Sequence, residues 1–429
     1  MTQPKPKRLR WRIAALLGAA ILLSYFDRQA LPVAVAQISK DIPISNTAFS
    51  HLQGAFLLAY AAMYAGGGRL LDRLGTKTGF LSIMLWWSIA CFLHGFASTV
   101  LFLGATQFML GIGEGGGFPG VTKAIFEWFP EKERATAMGI VNSCGNWGAV
   151  IAPPAIYLIV SLANWRWIFY VAGAFGLLWS FVWSKKYQPA ISHPGMNPQE
   201  RVELSELFQA REQSKSPARS WLQLFRFPQV WGLFWGKFLS DSAWYFYLFW
   251  LPKYLHDQRG FDLARLGAIA WIPYAAGGGG AIAGGWFSSW LIKRGFTLNF
   301  SRKTALGVAA ALMLVALAIT KAPVGIAVAL FSVAFFGQQF WSTIMMTLPA
   351  DVFPDREIGS VAGLEGCGGA LGGVVFGLVV GYLLDHGFGY APVFVMVSVF
   401  YPIAFVIILL TFRRVEPVDR AEEEALHLA

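Results

Sequence analysis

A chain of 429 residues that is 56% hydrophobic and only 14% charged carries too much apolar surface for a water-soluble core, and its mean hydropathy of +0.51 is that of a polytopic membrane protein. Its net charge of +10 sits in short clusters between apolar runs, which excludes a nucleic-acid partner and leaves the lipid bilayer as the surrounding medium. Cys91, Cys144 and Cys367 all lie inside apolar runs, which excludes a disulfide framework or a thiolate metal site, and no metal or cofactor is expected.

Twelve apolar runs of spanning length follow in order, at 12–36, 49–69, 79–98, 100–127, 136–160, 165–184, 228–252, 265–291, 303–320, 323–347, 358–384 and 389–412. A polar stretch separates the sixth from the seventh. The pattern predicts an all-α polytopic protein: a six-helix bundle over 1–184, a cytoplasmic connector over 185–227, and a second six-helix bundle with a cytoplasmic tail over 228–429. Lysine and arginine cluster at 1–12, 69–77, 185–226, 293–303 and 413–420, while the opposite loops hold Lys40, Arg166, Lys253, Arg259, Arg265 and Lys321. Both termini are therefore expected in the cytoplasm. The basic N-terminal tail runs into a long span without a small-residue cleavage region, so no cleaved signal peptide is expected.

The first span contains Asp27 and Arg28 side by side, at a cost of roughly 2.5–3.5 kcal/mol per charge at the centre of a bilayer. The two point about 100° apart on a helix. Arg28 shares a face with Ser24 and Tyr25, a cation, a hydroxyl and a phenol suited to an organic anion, because the guanidinium is a planar fork that stays charged. A purely structural Asp–Arg arrangement is the alternative. After the second span, GGGRLLDRLGTKTG (66–79) forms a candidate gating loop in which Gly68 and Gly75 allow tight turns and Asp72, Arg73 and Lys77 can pair across helix ends. GGWFSSWLIKRGF (284–296) echoes it in the second half, as expected of a repeated six-span unit.

In the fourth span, Glu114 has no cation three or four residues away. A lone carboxylate at membrane depth is costly to ionise and is a natural proton carrier, with Asp27 as the second titratable group; a neutral hydrogen-bonding acid is the alternative reading. Lys123 and Glu127, and Lys237 and Asp241, are spaced i,i+4 and can neutralise one another. Lys237 lies in the aromatic stretch KFLSDSAWYFYLFWLP and is also a candidate for the substrate site. Tyr60, Asn142, Ser143, Asn146, Gln338, Gln339 and Trp341 supply donors, acceptors and a ring for a sugar-like ligand, or serve as polar links between helices. Glu365 is an additional titratable group in the eleventh span. There is no phosphate-binding loop, no H-E-x-x-H and no clustered nucleophile and base, so an enzyme is not expected.

Together, SYFDRQAL (24–31), GGGRLLDRLGTKTG (66–79), LGIGEGGGFPG (110–120), EWFPEKERATAMGIVNSCGNWGAVIAP (127–153), NWRWIFYVAGAFG (164–176), KFLSDSAWYFYLFWLPKYL (237–255) and QQFWSTIMMTLPADVFP (338–354) resemble the major facilitator superfamily. Within it, the likeness is to hexuronate transporters of the anion:cation symporter branch. The resemblance covers roughly 12–412. It implies a twelve-helix, two-bundle carrier that imports glucuronate or galacturonate with protons by alternating access across a bacterial inner membrane, as a monomer. It assigns the first-span roles to Tyr25, Asp27 and Arg28, the second-span tyrosine to Tyr60 and the fourth-span carboxylate to Glu114. Asn142, Asn146, Gln339 and Trp341 take the polar positions of the fifth and tenth spans. The eleventh span departs from the pattern: GLEGCGGALGG offers only Glu365 where related carriers place an asparagine. Other organic anions, such as galactonate or a dicarboxylate, remain alternatives, as does a non-transporting membrane sensor or scaffold.

Overall fold

The structure is a computed structural model that describes residues 9–129, 131–195, 201–202 and 221–418. Among them every regular element is helical. The first half comprises α1 (Leu9–Asp41), α2 (Asn46–His94), α3 (Val100–Gly115), α4 (Gly117–Trp128), α5 (Glu131–Leu162) and α6 (Arg166–Lys186). After a single turn at Trp221–Leu224 come α7 (Pro228–Arg259), α8 (Leu263–Ile269), α9 (Trp271–Lys293), α10 (Leu298–Met313), α11 (Val324–Met345), α12 (Leu348–Val352), α13 (Asp355–Asp385) and α14 (Ala391–Thr411).

Sequence and structure differ in how the spans are divided. The second and third spans join into α2, interrupted only at Gly75, whose φ of 74° is one that glycine adopts without penalty. The fourth span breaks at Gly116 into α3 and α4. Nine helical stretches among the described residues are long and apolar enough to cross a bilayer. The three remaining predicted spans fall on helix from Asn46 to Gly75, on α3 with α4, and on α7, where glycines, the break or buried charges lower the apolarity. In hydrocarbon only helices and closed barrels satisfy every backbone N–H and C=O, and the described residues use helices.

Glycine sets how closely these helices approach. A Cβ built on Gly372 of α13 would lie 2.0 Å from Phe238 O of α7, and one on Gly280 of α9 would lie 2.1 Å from Phe336 O of α11. Lipid tails are as apolar as leucine, so close backbone packing rather than a hydrophobic drive holds such pairs together. The glycine-rich eleventh span is thus a packing surface: its glycines meet α7 on one side and α2 on the other.

Four helix pairs make most of the contact between the halves: α2 with α13, α5 with α8, α5 with α9, and α1 with α7. Contact is concentrated at one end of the molecule. There, Cβ atoms on Gly381 and Gly267 would collide with Ser50 and Tyr157, whereas those on Gly139, Gly359 and Gly363 at the other end would meet nothing within 4 Å among the described residues. The closed end carries a latch. The Asp385 carboxylate, at the end of α13, accepts from Asn46 N at 3.2 Å, Asn46 Nδ2 at 2.8 Å and Thr47 N at 2.7 Å, and also from the Thr47 hydroxyl. One half thereby caps the N-terminus of a helix in the other, where free N–H groups and the helix dipole both favour an anion. Caps of this kind are worth about 0.5–2 kcal/mol, so Asp385→Ala should raise the population open at this end several-fold. Spin labels at His51 and Tyr382, both exposed, would report it as a longer-distance component; an unchanged distance distribution would remove the latch role.

Candidate functional site

The polar centre is built from the helix period of α1. Ser24, Tyr25 and Arg28 are spaced i, i+1 and i+4 and share one face, while Asp27 is turned away from it. Arg28 Nε donates to Glu114 Oε2 at 2.6 Å, and the Ser24 hydroxyl donates to the same oxygen at 2.6 Å. The guanidinium lies over the rings of Tyr60 at 4.7 Å, Tyr25 at 4.8 Å and Phe56 at 5.6 Å. Such aromatic faces stabilise a desolvated cation. Asp27 instead accepts from Trp87 Nε1 at 3.0 Å.

Glycines again make the arrangement possible. Glu114 is flanked by Gly113 and Gly115, where a Cβ would stand 2.3 Å from Trp87 Cβ and 2.6 Å from Tyr60 O. Their absent side chains let α3 press against both arms of α2 and carry Glu114 to Arg28. The carboxylate that has no cation on its own helix therefore finds one 86 positions earlier in the chain. Both side chains are almost completely enclosed, with exposures of 3% and 0%. An ion pair so buried loses several kcal/mol of hydration per ion and survives only with good geometry and added hydrogen bonds. Arg28 Nη2 and Glu114 Oε1 nevertheless have no hydrogen-bond partner among the described residues.

A second buried charge group lies in the other half. Lys237 Nζ donates to Asp241 Oδ1 at 3.3 Å and to Ser342 Oγ at 3.4 Å. Gly369 of α13, where a Cβ would stand 2.3 Å from Asp241 Oδ2, admits that carboxylate. Glu365 is buried, lies within electrostatic range of Lys237, and its Oε1 has no hydrogen-bond partner among the described residues. Tyr25 lies within range of both Arg28 and Lys237.

Other sequence candidates are placed differently. Trp341 has no exposed surface and packs edge-on against Tyr401 at 5.5 Å, so its ring is committed to α14 rather than offered to a sugar. Gln338 is buried and also interacts with Tyr401. Gln339 is half-buried against Gly277 of α9. Asn142 and Asn146 are half-buried on α5, with Asn146 turned toward Gly278 of α9. Ser143 is exposed, and its hydroxyl donates to Ile140 O of its own helix at 2.7 Å. The proposed Lys123–Glu127 neutralisation does not form. Glu127 accepts from Tyr187 OH at 2.7 Å and from Thr76 Oγ1, while Lys123 donates to Leu71 O at 2.8 Å. In the gating loop Arg73 is exposed and the Lys77 carbonyl accepts from Trp183 Nε1 at 3.0 Å; Gly68 and the Asp72 side chain lie outside the described residues.

Sequence reasoning passed over Phe56, Trp87, Tyr245 and Gln29. Gln29 Nε2 donates to Leu248 O at 3.0 Å, and Tyr274 OH donates to Gln29 Oε1 at 3.2 Å, tying the halves together beside Arg28. Its position directly after Asp27 and Arg28 in one polar patch was an available signal. Tyr245 lies in the aromatic stretch noted around Lys237, whereas Phe56 and Trp87 carried no signal, because rings are common throughout this chain.

The Major Facilitator Superfamily model matches residues 17–377 and 299–427. The D-galactonate transporter of Escherichia coli O6:H1 is 31% identical over 408 residues, covering 92% of this chain and 93% of that one. The hexuronate transporter of Escherichia coli K12 is 30% identical over 428 residues, covering 98% of each. Among solved structures, a bacterial homolog of the human lysosomal transporter Spinster superposes with a TM-score of 0.72 at 17% identity, covering 96% of this chain and 98% of that one.

Proposed function

The chain belongs to the Major Facilitator Superfamily, and from that premise we propose that it is a proton-coupled symporter importing sugar acids, with glucuronate and galacturonate as representative substrates. It is a multi-pass membrane carrier and not an enzyme. Relatives about 30% identical to it carry D-galactonate and hexuronates, which supports an acidic sugar as cargo. Galactonate or a dicarboxylate would use the same anchor.

The observation that carries the reading is the Arg28–Glu114 pair at 2.6 Å, enclosed between rings and away from water. While Glu114 is ionised it occupies the guanidinium. A proton on Glu114 ends the ion pair and frees the fork for a substrate carboxylate, so proton and anion enter together and the charge of the buried site stays constant. Loss of the proton restores Glu114 as a competitor and expels the anion. Proton and anion thus favour one another's binding, which is the reciprocal relation that symport requires.

In this reading the two halves, 1–184 and 228–429, rock about the site as two bodies in one monomer. The protein sits in the bacterial inner membrane with the basic loops and both termini in the cytoplasm. The end latched by Asp385 is then the outer one, and the conformation is open inward. The test is uptake of radiolabelled glucuronate or galacturonate by the purified chain in liposomes with an imposed inward proton gradient. Accumulation above the external concentration is the expected result; equilibration that ignores the gradient would end the symport proposal, and no uptake of any sugar acid would end the substrate class.

A further inference from the structure

Three consecutive residues of α7 reach across to the first half near the latched end. Leu248 O accepts from Gln29 Nε2 of α1 at 3.0 Å, the Phe249 ring meets Phe56 of α2 edge-on at 6.2 Å, and Trp250 meets Phe49 of α2 edge-on at 4.9 Å. Phe49 is in the first turn of the helix whose N-terminus Asp385 caps. Phe56 is also the ring that lies 5.6 Å from the Arg28 guanidinium. Residues 248–250 therefore close over the Arg28 site from the latched side.

A carbonyl inside a helix is ordinarily taken by the N–H four residues on. For Leu248 that position is Pro252, which has no N–H to give. Side chains take the freed carbonyl instead. Gln29 Nε2 donates to it, and so does the Tyr274 hydroxyl of α9 at 3.3 Å, whose single proton is shared with Gln29 Oε1 at 3.2 Å. Leu248, Gln29 and Tyr274 are all buried, so these bonds form without competition from water, and a missing one is costly.

Resting on the reading that the two halves rock as bodies, we infer that residues 248–250 form a gate over the Arg28 site, and that Pro252 locks it by leaving Leu248 O dependent on Gln29 and Tyr274. When the halves part at this end, Gln29 withdraws with α1. Leu248 O is left with the longer Tyr274 contact alone, and no backbone N–H replaces the lost donor. Closing remakes the clasp. Pro252→Ala would supply that N–H, give Leu248 O a partner in both states, and make opening easier, although the substitution removes no contact between the halves.

Spin labels at His51 and Tyr382 on the full-length chain in liposomes, with Asp385 intact, read the fraction open at this end. Gln29→Leu and Pro252→Ala should each raise it by about fivefold, as expected for one buried hydrogen bond. The double variant should match Gln29→Leu alone, because both changes act through one carbonyl. Tyr274→Phe keeps its ring on Phe335 and loses only the hydroxyl; it should shift the distances the same way and carries the test if Gln29→Leu does not fold. Unchanged distances in Pro252→Ala, or an effect that adds in full to that of Gln29→Leu, would overturn the role of Pro252. If Gln29→Leu and Tyr274→Phe also leave the distances unchanged while Asp385→Ala lengthens them, the gate is overturned and the rocking of the halves stands. Distances that none of these variants alters would overturn the rocking, and the gate with it.

Discussion

Arg28→Lys will weaken glucuronate binding by one to two orders of magnitude although the charge is kept. The guanidinium does three things that an ammonium cannot do together: it bonds Glu114 through Nε at 2.6 Å, stands over the rings of Tyr25 and Tyr60 at 4.8 and 4.7 Å, and keeps Nη2 free of partners among the described residues. A carboxylate meeting that fork is bound by parallel donors, whereas lysine is a point charge on a flexible stem. Losing the second donor and the stack forfeits on the order of 2 kcal/mol, with tenfold in affinity for each 1.4 kcal/mol. Arg28→Ala is the harsher change, since it strands Glu114 without a partner in a buried site at a cost of about 3–5 kcal/mol, and part of that will appear as lost stability. Equilibrium binding to the purified lysine variant, with its melting temperature as the folding control, is therefore the informative measurement. Binding within threefold of the parent would remove Arg28 as the anchor.

Glu114→Gln will abolish uphill uptake yet leave exchange of substrate between equal internal and external pools. The amide oxygen can still accept from Ser24 and Arg28, so the shape of the protonated acid is preserved, but no proton can be released inside. A gradient of one pH unit stores about 1.4 kcal/mol per proton, enough for a tenfold concentration ratio when one proton accompanies one anion. The variant should fall from such a ratio to none. Exchange and gradient-driven uptake, measured side by side in liposomes with internal pH and voltage set independently, separate coupling from binding. A variant that still concentrates glucuronate like the parent would remove Glu114 from the coupling step. Asp27→Asn should have the smaller effect, because Asp27 is held by Trp87 and does not occupy the guanidinium.

What the sequence determined by itself is whatever depends on the bilayer and on one helix at a time. Hydrocarbon admits no unsatisfied backbone, so long apolar runs had to be helices. It also penalises charge, so Asp27, Arg28, Glu114, Lys123, Glu127, Lys237, Asp241 and Glu365 stand out in the sequence, and the Lys237–Asp241 contact follows from a spacing of four. Partners on other helices were not legible, because they depend on how far each helix is rotated and how deeply it sits. Glycines without side chains at Gly113, Gly115, Gly369 and Gly372 decide that, by letting backbones approach more closely than any other residue allows. Glu114 consequently belongs to Arg28, Glu127 to Thr76 and Tyr187 rather than to Lys123, and Trp341 to Tyr401. The Asp385 latch is of the same kind: an acid at the end of one helix acquires its role only when the fold brings the start of another helix to meet it.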